Sequence, residues 1–292
     1  KLASLVVCFL GSDVVFDVDE KDHIKLRCAT SHFTLLGLPA ADFPPEAEFE
    51  GRRGIRMKES DFKRMVGAIS YAVSADDSRK VLTGVLLNVR DSQVTLVATD
   101  GKRLAMQEKS PEEVTGGDGD AIIPLKAASE VRRLLDGDEL MSIKLGEKQC
   151  SFEASNFVLT TKLIEGNYPN YRQVVPASFA RAVEIPSSVF LGKIETVSLV
   201  LSDSSSYIIL RFEDNELTIQ DSSTEVGEGS DRVEVAFEGE PFEVSFNPAF
   251  LADPLRTCDA EKVRMKFNDS MSPVAIEGNE GFLYVIMPIR KK

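Results

Sequence analysis

Apolar residues along this chain switch between helical and strand spacing, and the switches recur at a fixed interval. Phe62, Val66, Ile69 and Val73 fall on one helical face, and Phe190, Ile194, Val197 and Leu201 repeat that face 128 residues later. Each run leads into two alternating strands around a polar turn, Asp91-Ser92 in the first and Asp214-Asn215 in the second, the pattern of a β-hairpin. A second kind of unit occurs three times. Lys1, Ala3, Ser4, Val6 and Leu10 recur as Lys126, Ala128, Ser129, Val131 and Leu135, a constant offset of 125, and a third copy runs from Phe246 to Arg290. The spacing predicts helices over Lys1–Gly11, Met57–Ala75, Lys126–Leu135, Ser187–Leu201 and Pro248–Cys258. Pro254 lacks a backbone donor and is expected to kink or split the last of them.

The two kinds of unit follow one another as B, A–B, A–B. This order predicts an α+β protein of repeated domains, each with two helices packed on antiparallel sheets, over residues 1–48, 53–176 and 182–292. A periodic design begins with A, so the first domain is expected to lack an N-terminal half of roughly 60–70 residues. Leu5, Val6, Phe9 and Leu10 would then be partly exposed. The apolar start of the chain resembles a secretory h-region, but the repeat explains it better and no small-x-small cleavage site follows.

Composition narrows the function. No apolar run reaches the ~18–20 residues of a membrane span. Four scattered cysteines without a Cys-x-x-Cys pair suit reduced thiols in a cytoplasmic protein. His23 and His32 have no third and fourth metal ligand near them, so no metal and no other cofactor is expected. Phosphate-loop, nucleophile-elbow, metalloprotease and dinucleotide motifs are missing, which argues against an enzyme. The loop acids Asp76, Asp77, Asp118 and Asp120 are the one opening for Mg²⁺ chemistry, against the simpler reading that they are solvated. The net charge of -13 opposes nucleic-acid binding only as a sum, because the predicted helices together carry a net positive charge.

Four ordered motifs carry a resemblance: LPAADFP (Leu38–Pro44), VATDGKRLA (Val97–Ala105), TKLIEGNYPNYRQVVP (Thr161–Pro176) and VIMPIR (Val285–Arg290). With them the chain resembles the bacterial DNA sliding clamps, the β subunits of replicative polymerases, from the middle of that family's first domain onward. The resemblance implies head-to-tail homodimers of three-domain protomers forming a ring around duplex DNA, with helices lining the hole. It also implies a groove between the second and third domains that takes short peptides from polymerases and clamp-loader subunits. A monomeric peptide-binding adaptor that never encircles DNA is the alternative.

Matching the family residue by residue puts Leu82, Thr99, Gly101, Arg103, Leu104 and Pro169 in the groove wall. Val174, Pro273, Met287, Pro288 and Ile289 join them, with Lys102, Gln173 and Arg290 at the rim. Most are apolar or small, as docking of an extended peptide requires; for Leu82 and Leu104 the alternative is ordinary core. Gln173 stands where many family members have arginine. Lys58, Lys63, Arg64, Lys126, Arg132 and Arg133 on the predicted helices, with Arg79 and Lys80 before the first hairpin, are the candidate DNA contacts; the alternative for each is a solvated face. The shortened loop Ser202–Ser206 offers no counterpart to Arg79 and Lys80. The dimer seam would pair His32 and Phe33 with Val200 and Leu201, unless Phe33 packs inward.

Overall fold

The computed structural model describes residues 1–9, 13–43, 49, 51–201, 207–221 and 227–290. Two compact units divide the chain, residues 1–48 and 49–292.

In the first unit a short helix, α1 (Leu2–Cys8), precedes three strands, β1 (Val15–Val18), β2 (His23–Cys28) and β3 (Ser31–Leu36). They pair antiparallel in chain order, leaving β1 and β3 as edges. Of its described apolar side chains only Leu26 and Cys28 are buried, while Val15, Phe16, Val18, Leu36, Leu38 and Phe43 are exposed. Leu5, Val6 and Phe9 are half-buried; Leu10 lies outside the described residues.

The second unit holds one element order twice. The first repeat is β4 (Arg53–Lys58), α2 (Glu59–Ile69), β5 (Gly84–Arg90), β6 (Gln93–Thr99), β7 (Arg103–Lys109), β8 (Glu113–Thr115), β9 (Gly119–Pro124), α3 (Leu125–Leu134), β10 (Leu140–Leu145), β11 (Gln149–Ala154) and β12 (Phe157–Lys162). The second is β13 (Arg181–Pro186), α4 (Ser187–Ser198), β14 (Ile208–Glu213), β15 (Glu216–Asp221), β16 (Ser230–Glu234), β17 (Phe242–Phe246), α5 (Pro248–Thr257), β18 (Lys262–Phe267), β19 (Val274–Glu277) and β20 (Phe282–Ile286). Only β8, which covers the edge of β4, has no described counterpart in the second repeat.

Both hairpins turn where the sequence places them. Asp91 and Ser92, and likewise Asp214 and Asn215, all have positive φ, as a two-residue type I′ turn demands. Phe62 of α2 and Phe190 of α4 are both fully buried at equivalent positions. Helix α2 packs on α3, α4 packs on α5, and α2 also meets α5. Beneath the helices one apolar core runs through both repeats, including Phe62, Phe152, Phe190, Phe212 and Phe246.

The repeats are fused through a shared sheet. Strand β20 pairs antiparallel with β7, so β13-β18-β19-β20-β7-β6-β5-β9 is one eight-stranded sheet. The separate four-stranded sheet ends on β16 and β17 and the five-stranded one on β12 and β8.

Two helical expectations need correction. The stretch predicted from Met57 to Ala75 is helical as α2 only over Glu59–Ile69, because Met57 and Lys58 belong to β4 and pair with Met141 and Leu140. Pro254 does not split α5, which is continuous over Pro248–Thr257. The proline leaves the carbonyl of Phe250, four residues earlier, without its helical donor. Tyr284 of β20 donates its hydroxyl to that carbonyl at 2.7 Å and replaces the missing N–H.

Candidate functional site

Strand parity divides the large sheet into two faces. Ala98, Ala105, Leu87 and Val85 join the core under the helices. Their neighbours Val97, Leu104, Leu86 and Ile122 point the other way and form a second apolar cluster with Val285 of β20 and Tyr171. Leu104 stands opposite Val285 and Met106 opposite Leu283, so this floor straddles the seam between the repeats. Val81, Met106, Ile164, Tyr168, Val175 and Leu283 border it.

One margin of the floor is the turn between β6 and β7. Asp100 accepts from the backbone N–H groups of Lys102 and Arg103 at 2.8 and 3.0 Å, and Thr99 donates its hydroxyl to the carbonyl of Arg103 at 2.6 Å. Gly101 sits at φ +86 with the Arg79 guanidinium close against it, so a side chain there would be both strained and obstructed. The N–H of Met287 bonds to the carbonyl of Lys102 at 3.0 Å, which carries the chain from β20 onto this turn. Met287 and Val174 are exposed at 43% and 46%, high for large apolar side chains at the edge of an apolar floor.

The predicted groove residues separate accordingly. Leu104 is floor, Thr99, Gly101 and Lys102 are turn, and Val174, Gln173 and Pro169 lie on the exposed segment beside Tyr171. Ile289 lines a smaller cleft of about 200 Å³ with Ser245 and Met271, and bonds through its N–H to Ser245. Pro273 stands two residues beyond Met271; Pro288 is half-buried and Arg290 exposed. Leu82 is buried in the 3-10 turn Asp77–Thr83, outside the floor cluster. Sequence reading missed Leu86, Val97, Ile122, Tyr171 and Met271. For the first three the signal was present, since they share strand parity with Leu104 across neighbouring strands.

Arg103 points away from Leu104. It alternates with Leu104 on β7, so its side chain leaves the groove and enters the helix side of the seam. There it donates to Asp100 (3.1 Å), to Asp253 of α5 (2.5 Å) and to the carbonyl of Tyr71 (2.6 Å), with its guanidinium 4.3 Å from the centre of the Phe250 ring. Burial opposes its charge, but the bond to Asp253 and the nearby Asp100 outweigh this and hold it protonated above the ordinary arginine value.

On the helix side, Lys63, Arg64, Arg132 and Arg256 converge on one cleft of about 590 Å³ with Asp136 and Asp259. Lys63 donates to the carbonyl of Leu135 just past the C-terminus of α3, where the helix dipole favours a cation. The Arg132 guanidinium lies against Gly67 of α2, the close approach that glycine allows. Arg64, Arg133, Lys58 and Arg79 pair with Asp61, Glu130, Asp138 and Asp76. Lys80, Lys126 and Arg132 have no carboxylate within 4.0 Å among the described residues.

Three of the four loop acids open to Mg²⁺ have local uses. Asp76 caps the turn at Ser78, Asp118 accepts from the N–H of Asp91, and Asp120 accepts from Asn88. At the predicted seam Phe33 of β3 is 40% exposed, with its ring 5.8 Å from Phe9, and His32 contacts the Thr30 carbonyl. Val200 and Leu201 are half-buried just past α4, and Ser202–Ser206 lie outside the described residues. Among the described residues, no helix is long and apolar enough to cross a membrane.

Helix pairs on antiparallel sheets, repeated and joined edge to edge in one sheet, define the DNA-clamp class of fold. Two family models match, the central domain of the DNA polymerase III beta subunit over residues 56–170 and its C-terminal domain over 172–290. The beta sliding clamp of Chlamydia muridarum is 33% identical over 91% of this chain and 72% of its own length. The solved sliding clamp of Pseudomonas aeruginosa superposes with a TM-score of 0.92 at 30% identity, over 100% of this chain and 80% of that one. The Bacillus subtilis clamp does so at 0.93 and 26% identity, over 100% and 78%. The chain belongs to the beta sliding clamp family, the DNA polymerase III beta subunits.

Proposed function

We propose that this chain works as a non-catalytic clamp of the bacterial cytoplasm, with clamp domains over 1–48, 53–176 and 182–292, holding polymerase and clamp-loader subunits through the groove across the β7–β20 seam. The observation that carries this is the apolar floor built from both repeats and flanked by the exposed Val174 and Met287. Such a floor suits a short extended peptide with one or two apolar anchors, Met287 adapting to their shape. The Pseudomonas aeruginosa clamp has been solved bound to griselimycin. Leu104→Ala or Met287→Ala is expected to weaken a polymerase-derived peptide by about 1–3 kcal/mol in titration calorimetry. Unchanged affinity in both folded variants would remove the groove assignment.

The ring would close with a second copy. Inside the chain β20 pairs with β7; the strands at the equivalent repeat positions, β3 and β16, are edges of their sheets. Phe33 lies on β3, and Val200 packs close to Gly229 at the start of β16, so both ends of the seam expected from the sequence flank free edges.

The inner surface would hold duplex DNA through Lys63, Arg64, Lys126 and Arg132, without reading sequence. A sliding contact must be weak and screened, since base readout would stall it. Replacing Lys126 and Arg132 by Gln is expected to flatten the dependence of DNA affinity on log salt, by about 0.9 for each phosphate no longer neutralised. An unchanged slope would take both residues off the DNA surface.

A further inference from the structure

We infer that Asn88 is a positioning residue of the groove, fastening the Tyr171–Val174 turn to the sheet; the inference rests on the groove reading above. Asn88 lies in the middle of β5 between Leu87 and Val89 and is 1% exposed. It shares the face of Leu86, so its amide reaches the outer surface of the sheet beside the apolar floor. A buried amide costs its desolvation unless hydrogen bonds replace the lost water. Every side-chain bond described for Asn88 goes to the groove margin or to the strand supporting it. Its Nδ2 donates to Asp120 Oδ1 at 2.5 Å across the β5–β9 pair. Its Oδ1 accepts from the Arg172 guanidinium at 3.1 Å and from the Tyr171 hydroxyl at 3.4 Å.

The amide orientation follows from these partners, because an ionised Asp120 only accepts and Arg172 only donates. Arg172 also lies over the Tyr171 ring, 4.7 Å from its centre. One side chain therefore orients a ring of the floor and the 3-10 turn that carries Gln173 and Val174. With the tie cut, the turn is free to leave the sheet, and a peptide would bind only after ordering it again. Affinity then falls mainly through faster dissociation.

The test uses the whole chain and a fluorescein-labelled peptide copied from the clamp-binding segment of a bacterial replicative polymerase. Asn88→Asp sets a carboxylate against Asp120 and is expected to weaken the peptide about tenfold, chiefly in the dissociation rate. Adding Asp120→Asn reverses the donor and acceptor across the strand pair while keeping an acceptor for Tyr171 and Arg172. The double variant is therefore expected to regain most of the affinity, a rescue that general destabilisation would not give. Arg172→Met, at an exposed position away from the core, removes one tie without touching β5 and is expected to speed dissociation as well. It keeps the inference testable should Asn88→Asp fail to fold. Leu104→Ala serves as the control for the groove itself. Loss with Leu104→Ala but none with Asn88→Asp or Arg172→Met would overturn the role of Asn88 and leave the groove standing. Loss with none of the three would overturn the groove reading too.

Discussion

Arg103→Met is expected to cost the second unit about 3 kcal/mol of folding stability. That is the low end of the range for removing one partner of a buried ion pair, chosen because Asp253 keeps 23% of its side-chain surface in water. Asp100, at 16%, would lose its cation, Asp253 would keep only the half-exposed Arg256 at 3.3 Å, and the Tyr71 carbonyl would lose the Arg103 donor. For a unit of this size the loss corresponds to a fall in Tm of about 6–12 °C. Adding Asp253→Leu is expected to recover part of it, because an apolar pair tolerates burial better than a carboxylate that has lost its buried partner does. Scanning calorimetry of the single and double variants reads both effects. A Tm unmoved by Arg103→Met would mean that the network is compensated by solvent.

The second large effect concerns α5. Tyr284→Phe keeps the ring in place but removes the side-chain donor to the Phe250 carbonyl, and is expected to cost about 1–3 kcal/mol. Pro254→Ala restores the backbone N–H that the carbonyl lost to proline, so Tyr284→Phe should cost much less in that background. Chemical denaturation of the four proteins closes the cycle. Equal costs of Tyr284→Phe with and without Pro254 would show that the hydroxyl does not substitute for the helical donor.

The repeats, hairpin turns and helical faces were legible in the sequence because each rests on local periodicity that tertiary packing reinforces. That α5 runs on through Pro254 was not legible, because the donor that replaces the lost N–H comes from Tyr284, thirty positions away on a strand. Met57 was read into a helix although Ile55 and Met57 alternate as a strand does, a competition between two spacings settled by pairing with β10. Arg103 was grouped with its neighbours by family match. Strand parity alone separates it from Leu104, since adjacent strand residues face opposite sides. Asn88 gave the least signal, one polar residue in an apolar strand. Its role depends on Tyr171 and Arg172, which reach it only after a further eighty positions of chain have folded back.

The β20–β7 ladder bears on the thermodynamics of recruitment. A cleft between hinged bodies must close on its guest, and the guest's affinity is reduced by the cost of that closure. Here the floor of the groove is a single pleated surface, and widening it would break main-chain bonds between Phe282–Ile286 and Arg103–Gln107. On the proposed function, successive proteins competing for such a site would meet the same prepared surface each time. Exchange among them is then governed by their own anchor residues and local concentrations, with little contribution from rearrangement of the clamp.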